Sequence, residues 1–129
     1  MRLNFLSQFS VYPIIMVDVK VSFDGNQCFI YIQGEVDASS SIHLDEALQQ
    51  AFRSDAERIL VDCRELHYIS SAGLGVFMSY IQELETSNKR LVLFNMSEKV
   101  YKVFEILGLH QILTIVGSQE EAKLVSNEL

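Results

Sequence analysis

Ser70 and Ser71 stand side by side between an apolar run, Ile59 to Val61, and an amphipathic stretch that continues to Leu84. A pair of hydroxyls where a strand hands over to a helix could attack a substrate, help cradle a phosphate, or accept a phosphoryl group from another enzyme. A nucleophile elbow has the pattern G-x-S-x-G, and the residue two before Ser71 is Ile69. His67 is close in sequence, but no histidine is spaced as an evident base, without which a serine hydroxyl is a poor nucleophile. Gly73-Leu74-Gly75 begins like G-x-G-x-x-G, yet Met78 holds the third glycine's place and no G-K-[ST] follows. These glycines read instead as residues that let the turn and helix start pack tightly. An acceptor serine has no need of a base in its own domain, because the kinase brings one. Phosphate there would add about −1.5 to −2 charges that a helix N-terminus tolerates, while a docked partner would meet a strongly hydrated dianion. On local physics alone, a helix cap is the simpler reading of both serines.

The elements that must position this pair follow from periodicity. Val17, Val19, Val21 and Phe23 alternate with polar residues, Asp24-Gly25-Asn26 turns the chain, and Cys28, Ile30 and Ile32 alternate with Phe29 and Tyr31. That pattern is a hairpin. Gly34-Glu35-Val36-Asp37 leaves the sheet, and Ser39 to Ser41 offer caps for a helix carrying Leu44, Leu48, Ala51 and Phe52. Ile59 to Val61 predicts a short strand covered on both faces. The helix after the double serine is expected to bury Leu74, Phe77, Met78, Ile81 and Leu84. Leu91 to Phe94 is a second central strand. Ser97 and Glu98 open a helix with Val100, Val103, Phe104 and Leu107, which Gly108 stops. Ile112 to Val116 is a last strand, and Ser118 caps a final helix with Ala122 and Val125 inward. The order β-β-α-β-α-β-α-β-α predicts an α/β fold. Its sheet of four to five strands is mixed but mostly parallel, with an N-terminal β-hairpin and about four helices.

At 129 residues the chain fits one domain, and 49% hydrophobic residues with a single proline exclude a disordered one. The net charge of −7 argues against nucleic acid as a partner. Cys28 and Cys63 form no CxxC pair and read as buried thiols of a reducing compartment. His43, His67 and His110 are scattered, so no metal site is expected. Residues 1–15 are too short and too polar to span a bilayer, and no small-residue cleavage site follows them. They are expected to be a peripheral extension or a start assigned upstream of the true one at Met16, with the domain over residues 16–129.

Three stretches point to a family. IQGEVD, from Ile32 to Asp37, resembles the "l-x-G-E-l-D" that ends the second strand of STAS domains. ILVDCRELHYISSAGLGV, from Ile59 to Val76, resembles their central strand and D-S-[ST]-G-L-G motif. NMSEKVYKVFEILGL, from Asn95 to Leu109, resembles their later helix. The likeness is to the bacterial anti-sigma factor antagonists in particular and spans nearly everything from Met16 onward. It implies the STAS fold and a phosphoacceptor at Ser71, the place of the first serine of the motif. It implies that Asp37 helps engage a kinase, although a turn-forming or capping aspartate fits the same position, and that Asp62 is structural. Two positions depart from the pattern. Ser70 replaces the aspartate before the acceptor, which makes it a second candidate acceptor, and Ala72 replaces the second hydroxyl residue.

The resemblance implies a non-enzymatic regulator that works by partner switching. Unphosphorylated, it would bind an anti-sigma factor that is also a serine kinase. Phosphorylation at Ser71 would release it, and a serine phosphatase would reset it. The partner surface would comprise Glu35, Asp37, Ser39, Ser70, Ser71, Gly73 and Leu74. ATP and Mg²⁺ would belong to the kinase, so no cofactor is expected in this chain, nor insertion into a membrane, and the place of action would be the cytoplasm. The alternative within the family is a constitutive STAS subunit of a transport or signalling complex. A serine hydrolase is a third reading, from another class.

Overall fold

The structure, a computed structural model, describes residues 17–127. The expected extension over residues 1–15 lies outside them. β1 (Val17–Asp24) and β2 (Gln27–Val36) pair antiparallel across a two-residue turn whose first residue, Gly25, has φ +60°. Glycine takes that conformation without strain. α1 (Ser41–Arg53), β3 (Arg58–Ile69), α2 (Ser71–Ser79), α3 (Ile81–Thr86), β4 (Arg90–Phe94), α4 (Glu98–Ile106), β5 (Thr114–Val116) and α5 (Gln119–Asn127) follow, with a 3₁₀ turn at Leu109–Gln111. The sheet runs β1-β2-β3-β4-β5, and every pair after the hairpin is parallel. The expected α/β class, mixed sheet and hairpin are all present.

The sheet has a core on each side. Cys28, Ile30, Ile32, Ile59, Val61 and Leu93 face α1, α2 and α4, through Leu44, Leu48, Leu74, Phe77, Val100 and Phe104. On the opposite side Leu60, Val92 and Phe94 meet Ala122 of α5. Ile59, Leu60 and Val61 are fully buried because they lie in the centre of the sheet with layers on both faces.

β3 is far longer than the apolar run at its start. Beyond Val61 its buried residues are Cys63, Leu66 and Ile69, one in three rather than one in two. The register against β2 slips between Tyr31 and Gln33 and again between Gly34 and Glu35. Each slip leaves an extra residue on β3, a bulge, and the two bulges convert the period of a strand into a period of three. Gly34, φ +114°, sits at the second bulge in a conformation that favours glycine.

Five apolar residues are less buried than the periodicity predicts. The helical stretch after Ser71 breaks at Tyr80, whose ring stacks on Phe52 at 4.8 Å and whose hydroxyl donates to Asp45 Oδ1 at 2.8 Å. Met78, within the helix before the break, lies off its buried Gly73–Leu74–Phe77 face and is about half exposed, while Ile81 and Leu84 beyond the break are only partly buried. Phe23, near the hairpin turn at the end of β1, and Leu107, the C-cap of α4, are both about half exposed. Gly108, φ +73°, does terminate α4, and the chain then turns through the 3₁₀ segment before β5, which begins at Thr114 rather than at Ile112.

Candidate functional site

The long β3 carries the double serine to the edge of the sheet where β2 also ends. There the Ser70 N–H donates to Val36 O at 2.8 Å, tying the two strand ends together. The same bond brings the Glu35–Ser40 segment beside the start of α2. Glu35 pairs with Tyr68 in the last part of the β2–β3 ladder.

The two serines divide two roles between them. Ser70 is the N-cap of α2: its extended backbone precedes the helix, and its Oγ accepts the Gly73 N–H at 3.3 Å. Its carbonyl accepts the first helical bond, from Leu74 N–H, at 3.0 Å. Ser70 is half-buried. Ser71 is the first residue of the helix and exposed, and its hydroxyl enters no hydrogen bond among the described residues. The first turn of α2 contains no acidic residue. A negative charge placed on Ser71 would therefore lie beside the unpaired N–H groups of a helix start, with no acid of that turn opposing it.

Gly73 and Leu74 belong to the interior rather than to the surface. Leu74 is 2% exposed, and Gly73 is buried against the two strand ends. A Cβ on Gly73 would stand 2.7 Å from Ile69 Cγ1 and 2.7 Å from Val36 Cγ1, inside any contact that carbon atoms make. Gly73 thus lets α2 sit directly on the ends of β2 and β3. Gly75 is exposed, and a Cβ there would meet nothing within 4 Å, so tight packing accounts for only one of the two glycines. The exposed face of α2 is instead made by Ser71, Ala72, Gly75 and Met78.

Asp37 organises the loop beside Ser70. Its Oδ1 accepts the Ser39 hydroxyl at 2.8 Å, the Ser39 N–H at 2.9 Å and the Ser40 N–H at 2.9 Å. These bonds, the Ser39 hydroxyl first, hold its carboxyl below the usual carboxylate range. The turn-forming reading of Asp37 is therefore realised. Ser39 and Glu35 are exposed, but Ser40 is 6% exposed, one of two buried polar residues among those described. Asp62 accepts the Arg64 N–H at 3.0 Å farther back on β3.

The remaining chemistry-bearing residues stand apart. His67 lies within 3.6 Å of Glu65, and no histidine is hydrogen-bonded to either serine among the described residues. Cys28 and Cys63 are buried and unpaired; burial pushes the Cys28 thiol up to about 11 and raises Cys63 further. Among the described residues no group of three His, Cys, Asp or Glu side chains could hold a metal ion, and no helix is long and apolar enough to cross a membrane.

Comparison with known proteins gives one consistent result. Residues 18–122 match the model of the STAS domain. The anti-sigma-B factor antagonist of Listeria monocytogenes is 32% identical over 107 residues, covering 83% of this chain and 93% of that one. The fold is that of the anti-sigma factor antagonist SpoIIAA in its unphosphorylated form, with TM-score 0.64 and 21% identity over 84% of this chain and 96% of that one. SpoIIAA has also been solved phosphorylated. An anti-sigma factor antagonist from Mycobacterium paratuberculosis superposes with TM-score 0.78 at 12% identity, over 87% of this chain and 95% of that one.

Proposed function

This chain belongs to the STAS domain family, of the anti-sigma factor antagonist type, and we propose that it acts by partner switching with Ser71 as the phosphoacceptor. Unphosphorylated, it binds an anti-sigma factor that is also a serine kinase and so releases the sigma factor. The kinase then transfers the γ-phosphoryl group of Mg²⁺-ATP. The Ser71 Oγ–P bond forms, the bond to the β-phosphate oxygen breaks, ADP leaves, and the hydroxyl proton passes to a base of the kinase. The phosphorylated chain dissociates, and a serine phosphatase restores it. The chain itself contributes no catalytic group, and its work is done in the cytoplasm.

One observation carries the choice of Ser71: Ser70 Oγ is engaged by the Gly73 N–H, whereas the Ser71 hydroxyl is exposed and unengaged. The departure from the family motif at Ser70 fits this division, since a serine caps a helix as an aspartate does. Glu35, Asp37, Ser39, Ser70 and Ser71 form the recognition edge. Gly73 and Leu74 support it from beneath. The phosphate adds a dianion to a surface that a partner must dehydrate, which weakens docking without unfolding the domain.

Incubating the chain with the purified host kinase and Mg²⁺-ATP, then mapping the site by mass spectrometry, tests this reading. Phosphate on Ser71 alone is expected. Phosphate confined to Ser70 moves the switch by one residue. A chain that holds its partner equally well before and after phosphorylation is a constitutive subunit instead.

A further inference from the structure

Ser40 occupies the N-cap position of α1 and does not cap it: its side chain makes no bond to the helix. Ser70, Ser97 and Ser118 each accept the N–H three residues ahead, from Gly73, Val100 and Glu121. The Ser40 hydroxyl is turned the other way. It accepts the Asp37 N–H at 2.9 Å and stands 3.0 Å from Glu35 O and 2.9 Å from Asp37 Oδ1, with one proton to give between the two. It therefore joins the last residues of β2 to the backbone and carboxylate of Asp37. That segment is already fixed to the acceptor turn through Val36 O and Ser70 N–H. Ser39 bonds the same carboxylate oxygen, but it is exposed and its hydroxyl reaches nothing on β2. Bonds shielded from water hold geometry that exposed ones do not.

We propose that Ser40 is a positioning residue of the switch: too buried to be a contact itself, it fixes the Asp37 carboxylate in the place where the kinase reads it beside Ser71. The proposal rests on the partner-switching reading and adds to it a residue that neither motif nor surface marks. A serine kept merely for the stability of α1 would bond the helix. One kept for the Asp37 carboxylate would bond as Ser40 does.

A double-mutant cycle separates these roles. Ser40→Ala, Asp37→Ala and the pair are assayed as substrates of the purified host kinase with Mg²⁺-ATP, alongside Ser118→Ala and thermal melts. Ser40→Ala is expected to raise KM about tenfold with kcat unchanged, and the double variant to be no worse than Asp37→Ala, because both remove one interaction. Ser118→Ala, which removes the cap of α5 and touches no residue of the site, should stay within about twofold of wild type. Additive losses, a wild-type KM in Ser40→Ala, or a loss that only tracks the melting temperature each overturn the positioning role. A wild-type chain that is not phosphorylated overturns the partner-switching reading and this one with it, and is told apart by that control.

Discussion

Two strand-to-helix junctions of this protein are built on the same plan and end differently. At β4–α4, Ser97 Oγ accepts the Val100 N–H at 3.2 Å, and Glu98 follows as the first helical residue. At β3–α2, Ser70 Oγ accepts the Gly73 N–H at 3.3 Å, and Ser71 follows. The first junction has everything a stable helix start requires: a cap, an acid in the first turn and a valine buried to 1% on the sheet. The second keeps the cap and lacks the other two. An uncharged hydroxyl replaces the acid, and glycine replaces the valine because Val36 and Ile69 come too close for a side chain. The comparison separates capping, which these two junctions share, from what is particular to the site. That particularity is a helix start docked tightly on two strand ends, with an unfilled place for negative charge.

The largest effect is expected where that place is filled permanently. Ser71→Asp should fold with an unchanged or slightly raised melting temperature and bind the partner kinase roughly 100-fold more weakly by calorimetry. Glu98→Ser should leave binding alone. Full affinity of Ser71→Asp would falsify the switch.

The glycines sharpen the packing half of the contrast. Gly73→Ala should lower unfolding free energy by about 2 kcal/mol in urea, since the new methyl has no room. Gly75→Ala, in open space on a helix, should instead stabilise by about 0.5–1 kcal/mol. Equal effects at the two positions would mean that α2 does not sit as closely on β2 and β3 as the structure places it.

The shared cap gives a smaller, symmetric prediction. Ser97→Ala and Ser70→Ala should each lose about 1 kcal/mol, and in both variants phosphate should still appear on Ser71. Loss of phosphorylation in Ser70→Ala would show that Ser70 does more than cap.

The smallest effect concerns pH. The folded-state pKa of Asp37 is lowered by the Ser39 hydroxyl and Ser40 N–H, so its contribution is present above the unfolded value of about 4 and is lost as pH falls through the folded one. The stability gap between wild type and Asp37→Asn should therefore narrow in acid, in urea titrations at pH 6 and pH 3. A gap independent of pH would remove the carboxylate from the loop's stability.

Much of this was readable along the chain, for reasons that are local. Alternation exposed the hairpin because β1 and the first half of β2 have one dominant buried face. Ile59 to Val61 announced a central strand because three consecutive apolar residues need cover on both sides. Ser97, Ser118 and Gly108 marked helix ends because capping depends on the backbone within three or four residues. The far part of β3 is hidden because its bulges replace alternation with a period of three, so Leu66 and Ile69 do not look like a strand. The periodicity places Met78 inside because it falls four residues after Leu74, and nothing local reveals that the face docked on the sheet is Gly73, Leu74 and Phe77.

By itself, then, the sequence determined the order of elements, the fold class and the place of the double serine at a strand-to-helix turn, since each depends on residue type and short-range spacing. It left both hydroxyls as candidate acceptors and candidate caps. Only the tertiary structure shows which of the two hydroxyls caps the helix. Val36 and Ile69, distant in sequence, close over Gly73, and the turn then commits Ser70 to the Gly73 N–H and leaves Ser71 in solvent. Neighbouring serines of identical chemistry differ there because three-dimensional packing, not composition, decides which hydroxyl is engaged.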